Sequence, residues 1–316
     1  MIMSYSLYSK PFKPPADLVK DLQAKGLRIK DVNKAERILA DINYYRFKIY
    51  LVPLQNSGSK IFKPNAVFED AIQLYRFDDE LRDLLFSAIG RIEIKLRSKL
   101  DQVACSHTQN PFWYLDKGLF GTGFYNVEST LSRLASDFQR SKDDYSVHFK
   151  SHYFNDQHDG FKQLPPFWVA SELMTFGQTK TLFEKLDKTA FKLPANGNEL
   201  DNLARMFGAK NLKTLNNWLA LIRDVRNRCA HHSRTWNANY REPHQIWSML
   251  NNNYLPAHKN RIYLCIAMMH HIDNNLGMSL DLKHKLQTLF SKYPIALPHA
   301  KAAGFPQDWD KDSFWD

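Results

Sequence analysis

The residues best suited to chemistry lie together in one short stretch, Leu215–Trp236, which reads LNNWLALIRDVRNRCAHHSRTW. Between positions 221 and 241 the chain has five arginines and a single acidic residue, Asp224. Arginine can form paired hydrogen bonds to phosphate oxygens and is always charged, while imidazole can accept or donate a proton near neutral pH. Attack of a ribose 2′-hydroxyl on its own phosphate needs such an acid or base and such a cation. The stretch therefore suits reaction with a phosphodiester.

The apolar residues of this stretch predict a helix that turns its polar residues to one side. The predicted buried stripe consists of Leu215, Trp218, Leu219, Ile222, Val225 and Cys229. At about 100° per residue, Asn227 and His231 share one face, with Arg223 and Arg234 close to it. Arg226 falls at the edge of the stripe, where a charge needs a partner or a groove. From chemistry alone, a solvated face or a plain RNA-binding surface remains an equal interpretation.

No metal and no cofactor is expected. The sequence has no carboxylate cluster for Mg²⁺, and it lacks both the P-loop and the G-x-G-x-x-G nucleotide-binding motifs. His148 and His152 have the i,i+4 spacing of a helical zinc site, but Lys150 between them would repel a cation, so a surface or packing pair is favoured. One histidine of His270-His271 is expected in the core, and Cys229 is expected to pack rather than react.

The hydrophobic periodicity predicts an all-α bundle with an N-terminal helical extension and a packed C-terminal tail. The expected divisions are residues 1–64, 65–293 and 294–316. Helices are predicted over Ala16–Leu27, Lys34–Tyr45, Phe68–Cys105, Asn126–Ser141, Asn211–Ser233 and Arg261–Leu276. Another is expected to start at Pro165-Pro166 and to continue across Gly177. The segment Tyr50–Leu54 is expected to be extended.

Composition and charge narrow the functional classes. The 316 residues include 43 Lys and Arg against 33 Asp and Glu, a net charge of +10, which suits a polyanionic partner, with nucleic acid ahead of a membrane. No run of apolar residues is long enough to span a membrane, and Met1–Pro15 lacks the apolar core of a signal peptide. The three cysteines, odd in number and far apart, favour reduced thiols and a cytoplasmic location.

Several motifs resemble those of a known family. Arg226-Asn227-Arg228-Cys229-Ala230-His231 is similar to the R-x-x-x-x-H signature of the HEPN ribonucleases. Segments throughout the chain resemble the Abi-like (AbiD/AbiF) abortive-infection family. They are Asn43-Tyr44-Tyr45-Arg46, Leu74-Tyr75-Arg76-Phe77-Asp78, Arg91-Ile92-Glu93, Pro111-Phe112-Trp113-Tyr114, Val225–Ser233 and Gly304-Phe305-Pro306-Gln307-Asp308-Trp309. The resemblance implies an α-helical HEPN bundle in a bacterial phage-defence protein.

The same resemblance implies roles for individual residues. Arg226 and His231 would be catalytic with Asn227 beside them, and RNA cleavage would need no metal and would leave a 2′,3′-cyclic phosphate and a 5′-hydroxyl. Because one chain carries a single such motif, a homodimer with a composite active site is implied. The residues predicted to contact RNA phosphates are Arg223, Arg228, His232 and Arg234. Which of His231 and His232 acts is left open.

Two questions stay open at the level of sequence: the role of Glu93 and Arg97, and the function of the whole protein. Glu93 and Arg97 either support the site from the neighbouring helix or form an ordinary i,i+4 surface pair. The whole protein has three possible functions. It is a toxin-like nuclease, a non-catalytic RNA-binding or sensor protein, or a DNA-binding regulator that uses the N-terminal helices. A nuclease would be held silent by a protein antitoxin or a small RNA.

Overall fold

Helices dominate the part of the chain that the computed structural model describes, residues 7–9 and 11–316. The α-helices of this part are α1 Pro15–Ala24, α2 Val32–Asp41, α3 Tyr44–Leu51, α4 Phe68–Thr108, α5 Phe124–Arg140, α6 Asp144–His152, α7 Phe167–Leu173, α8 Phe176–Lys185, α9 Glu199–Met206, α10 Leu212–Ala230, α11 Ile262–Leu276 and α12 Leu282–Lys292. Its β contacts are isolated bridges, so the all-α prediction is confirmed. Met1–Ser6 and Lys10, which belong to the predicted extension and to the segment excluded as a signal peptide, lie outside the described residues.

The chain divides into two units. The first comprises residues 1–80 and 288–299, and the second comprises residues 81–287 and 300–316. The first residues of α4, up to Glu80, belong to the first unit, and the rest of the helix belongs to the second. Across residues 11–316, none of the helices combines the length and the apolar composition that crossing a membrane requires.

In the first unit, α3 corrects the sequence-based prediction of an extended segment. Tyr50 and Leu51 end α3, and Val52–Leu54 continues as a 3₁₀ turn. The aromatic, β-branched run resembles a strand, but the Asn43 side chain caps the helix by accepting from the Tyr45 N–H at 2.9 Å. Phe47 and Tyr50, three residues apart, both face inward, and the Tyr50 hydroxyl donates to Asp78 at 2.6 Å. Helical spacing therefore buries both rings on one side.

In the second unit, the single helix predicted from Pro165 across Gly177 is interrupted. Helix α7 ends at Leu173, and α8 starts afresh behind the N-cap Thr175. Thr175 accepts from the Gln178 N–H, while the Gln178 side chain accepts from the Thr175 N–H, so the two form a capping box. The pattern T-x-x-Q was readable in the sequence and marks the true start. The short helices α6, α9 and α12 were not predicted.

The end of the C-terminal tail packs on α11. Phe305, Trp309 and Trp315 are buried, and the Trp315 ring stacks on His270 with 4.8 Å between centroids. The Trp315 indole N–H donates to the Tyr263 hydroxyl at 3.2 Å. His270 is therefore the core histidine that the sequence analysis expected.

The burial of His270 gives the fold a predicted dependence on pH. Burial lowers the pKa of His270 and outweighs the Phe314 backbone and the charge of Asp273, which raise it. The unfolded ring has a pKa near about 6.5. Above that pH the ring is neutral in both the folded and the unfolded chain, so its titration does not affect stability. At lower pH the unfolded chain binds the proton more readily than the folded chain, so protonation favours unfolding. Each unit by which the pKa is lowered corresponds to about 1.4 kcal/mol of stability lost in acid.

We therefore expect the free energy of unfolding to fall as the pH drops below about 6.5. The variant His270→Gln should lose less stability over the same interval, because its side chain does not titrate. Urea unfolding of both proteins at neutral and mildly acidic pH measures the difference. An identical pH dependence in the two proteins would contradict the assignment.

Candidate active site at the end of α10

One face of α10 is fixed by burial. Asn211 caps the helix by accepting from the Thr214 N–H at 3.0 Å. All six residues of the predicted stripe are buried, and α10 packs against α8, α9 and α11. The indole of Trp218 also donates to the His244 carbonyl at 2.8 Å. With one side held this firmly, Asn227 and His231 are both exposed, as the helical spacing predicted.

The helix ends at Ala230, three residues before the predicted end at Ser233. His232 adopts the left-handed conformation, with φ of 50°. Its N–H donates to the Cys229 carbonyl at 3.0 Å, and the Ser233 N–H donates to the Arg228 carbonyl at 2.8 Å. These two bonds define a Schellman motif, in which a left-handed residue closes the helix. Glycine is usual at that position, so a histidine there gave no sequence signal.

This ending separates the two neighbouring histidines. His231 is the last residue on the helical path, and its N–H donates to the Asn227 carbonyl at 3.0 Å. It therefore extends the exposed face of Asn227 by one turn. His232 occupies the left-handed turn, where its backbone has a structural task. His231 rather than His232 thus continues the helical face that carries Asn227.

The Arg226 guanidinium lies over an aromatic ring contributed by another helix. Its central carbon is 5.7 Å from the ring centroid of Phe86 on α4, and Phe86 itself is 43% exposed. The position of Arg226 at the edge of the apolar stripe predicts a partner for its charge, but the spacing of the residues does not identify Phe86. The feature that could have indicated Phe86 as this partner is its position on α4: it follows the buried Leu85 and lies at the exposed border of the helix.

The other arginines of the motif are held by polar partners. Arg228 donates to the Arg234 carbonyl at 3.2 Å and lies over Tyr240 at 5.3 Å, which ties down the loop after α10. Arg223 pairs with Asp224 at 3.4 Å. Contact with a ring face leaves the in-plane N–H groups of a guanidinium available, whereas these bonds use them. Arg226 is thus preorganised without spending the donors that a phosphate would need.

Glu93 and Arg97 form an ion pair in a mostly buried setting. Their side chains are about equally shielded, and the Arg97 guanidinium donates to both Glu93 and the Met174 carbonyl. The pair therefore fixes the break between α7 and α8, which is more than an ordinary surface pair does. Its expected support of the motif on α10 stays a prediction.

The surroundings of Cys229, His148 and His152 favour structural roles for these three residues. Cys229 is buried within the stripe of α10. The rings of His148 and His152 lie 4.6 Å apart on α6, and residues 7–9 and 11–316 hold no group of three or more side chains that could bind a metal ion.

The contact with Phe86 can be tested directly. Phe86→Leu keeps the apolar volume but removes the ring face, a contact worth about 0.5–1 kcal/mol at a partly exposed site. We expect greater mobility of the Arg226 Nε–H in this variant, measured as a lower order parameter by ¹⁵N relaxation. Phe86→Tyr should preserve the native value, and Arg228 serves as an internal control. An unchanged order parameter in Phe86→Leu would show that the ring does not restrain Arg226.

Comparison with known proteins places this chain in a family. None of the curated proteins and none of the solved structures searched matches it. A family profile described as Abi-like protein matches residues 37–237, a range that includes α4 and the Arg226–His231 motif. Because this match covers well over half of the 316 residues, the chain belongs to the Abi-like protein family.

Proposed function

We propose that this protein is a metal-independent RNA endonuclease of the HEPN type and acts as a toxin-like effector in bacterial abortive infection. One observation carries the proposal: the Arg226 guanidinium is held by the Phe86 ring, next to the exposed Asn227 and His231. Membership of the Abi-like family supports the biological role, and the net charge of +10 supports a polyanionic substrate.

The chemistry follows from these side chains. The ribose 2′-oxygen attacks the adjacent phosphorus and loses its proton, while the bond from phosphorus to the 5′-oxygen breaks. The products are a 2′,3′-cyclic phosphate and a 5′-hydroxyl, and the second forms when the leaving oxygen takes up a proton. His231 transfers one of these protons, Arg226 stabilises the charge that develops on the phosphate oxygens, and Asn227 supplies an amide hydrogen bond.

A second copy of the chain supplies what one motif lacks. The reaction has one proton to remove and one to deliver, and each motif carries its own Arg226 and His231. An exposed apolar strip runs along α4 beside Arg226 and consists of Phe86, Gly90 and Ile94 at i,i+4 spacing. Ile94 is 65% exposed, and a side chain at Gly90 would meet no atom within 4 Å. A helix-interior glycine costs about 1 kcal/mol relative to alanine, which is reasonable where a second helix packs closely.

The rival proposal is a non-catalytic RNA-binding or sensor protein. In that case the arginines of α10 hold phosphates, and His231 only donates or accepts a hydrogen bond. A nuclease effector also needs an inhibitor, for which a protein antitoxin and a small structured RNA are the two candidates. The basic charge of the chain favours RNA.

The first test measures cleavage. Purified protein is incubated with cellular RNA in EDTA, and the ends of the fragments are analysed. We expect cuts that leave cyclic phosphate, and a rate that is lower by about 10²-fold or more in His231→Ala, as for loss of a general acid or base. Arg226→Ala should be similarly impaired. His232→Gly is the comparison variant: glycine adopts the left-handed conformation readily, so we expect it to keep the cleavage chemistry and to lose only the affinity of one phosphate contact.

The result also separates the two proposals. Tight RNA binding with no fragments in any variant would support the non-catalytic protein and refute the nuclease. Cleavage that persists in Arg226→Ala/His231→Ala would place the chemistry elsewhere. Cleavage that EDTA abolishes would exclude the metal-independent mechanism.

The second test concerns the dimer. Ile94→Asp places a charge at the most exposed end of the apolar strip without changing the motif. We expect it to shift sedimentation velocity from dimer to monomer and to reduce RNA cleavage in parallel. Tyr125→Asp, at a position on α5 that is 82% exposed, is the control and should leave both unchanged. A dimer that persists in Ile94→Asp would rule out this strip as the interface.

A further inference from the structure

The positive charge of the chain is concentrated at one end. Residues 1–64 contain 12 Lys and Arg but only 5 Asp and Glu, so they carry +7 of the net charge of +10. Residues 65–316, which include the motif on α10, are close to balanced. The proposed active site therefore does not account for most of the charge.

Helix α3 presents part of this charge together with an aromatic ring. Phe47 and Tyr50 hold the inner side of α3, since the Phe47 ring packs on Phe68 at 5.3 Å. Tyr45 lies on the outer side and is 77% exposed. The Lys48 ammonium lies 4.2 Å from the Tyr45 ring centroid, over one face of the ring. The remaining ring surface is open to solvent, next to a positive charge.

A second exposed aromatic residue lies next to the ion pair between Lys13 and Asp21. The Lys13 ammonium pairs with Asp21 of α1 at 2.5 Å. Burial and the charge of Asp21 raise the pKa of Tyr44, the first residue of α3, while the charge of Lys13 lowers it. Phe12, directly before Lys13, is 88% exposed. We treat the exposed residues Phe12, Tyr45 and Lys48 as one candidate surface and call it the N-terminal aromatic face.

We propose that the N-terminal aromatic face binds single-stranded RNA, with bases stacked on Phe12 and Tyr45 and a phosphate held by Lys48. The inference rests on the proposed function for the identity of the ligand. Exposed rings interleaved with cations are the general means by which proteins hold unpaired nucleotides, since every base has a face to stack. This surface is separate from the residues that would carry out cleavage.

Base stacking distinguishes single-stranded RNA from other polyanions. Stacking on a protein ring requires an unstacked base, which a duplex does not offer. An anionic membrane would attract the same lysine and the same rings, but it would not distinguish paired from unpaired nucleotides. Duplex DNA and anionic vesicles are therefore the alternatives against which the proposal is measured.

The experiment uses the full chain carrying Arg226→Ala/His231→Ala, so that RNA is not cut during the measurement. In this background, Phe12→Ser, Tyr45→Ser and Lys48→Glu are combined. The matched control combines Phe154→Ser, Tyr125→Ser and Lys142→Glu, which removes two exposed aromatic rings and reverses one exposed lysine elsewhere. Fluorescence anisotropy with a short unstructured RNA gives the affinity over a range of salt, and circular dichroism verifies folding.

We expect the face variant to bind this RNA at least about tenfold more weakly than the control variant, because two stacked bases are lost. Its affinity should also depend less steeply on salt, because a phosphate contact is removed. Equal affinities in the two variants would overturn the proposal. So would tighter binding of duplex DNA than of RNA, or loss of binding to anionic vesicles while RNA affinity is unchanged. None of these outcomes depends on whether the wild-type protein cleaves RNA, so failure of the proposed function is seen separately.

Discussion

Burial of one side of α10 is the constraint on which the candidate site depends. Six apolar side chains fix the rotation of this helix against α8, α9 and α11. Because packing fixes the rotation of the helix, it also fixes which residues face solvent on the opposite side, and Asn227 and His231 are both exposed there. The Schellman motif then sets the last turn, because left-handed His232 stops the helix directly after His231. Packing and a single backbone angle thus determine which imidazole continues the exposed face.

The arginines of this helix show how the type of partner decides what a cation can do. Arg228 uses one of its donors on the Arg234 carbonyl, and Arg223 faces the carboxylate of Asp224. Arg226 instead rests on the face of Phe86. The ring limits the movement of the guanidinium but takes no hydrogen bond, so the side chain is already ordered while its N–H donors stay available. The nearby arginines stabilise the loop after α10 and the surface of the helix, which are separate tasks.

A division of labour follows from the distribution of charge. Residues 1–64 carry most of the excess charge, and they also carry three strongly exposed rings, those of Tyr8, Phe12 and Tyr45. Electrostatic attraction and stacking give affinity with little dependence on sequence, while chemistry depends on a few well-placed atoms. In the proposed nuclease the two demands would be met by different surfaces of one chain.

The sequence by itself determined the helical class, the buried stripe of α10 and the shared face of Asn227 and His231, because the 3.6-residue period records which side is covered. It also placed α11 within one residue of its observed limits, from Ile262 to Leu276. Only the tertiary structure decided that Phe86 lies under Arg226, since contacts between distant parts of the chain leave no periodic trace. Only the structure showed that α10 ends at Ala230, because a non-glycine residue adopts the left-handed conformation there. Period and spacing are local properties of a chain, whereas the partner of a side chain is set by packing.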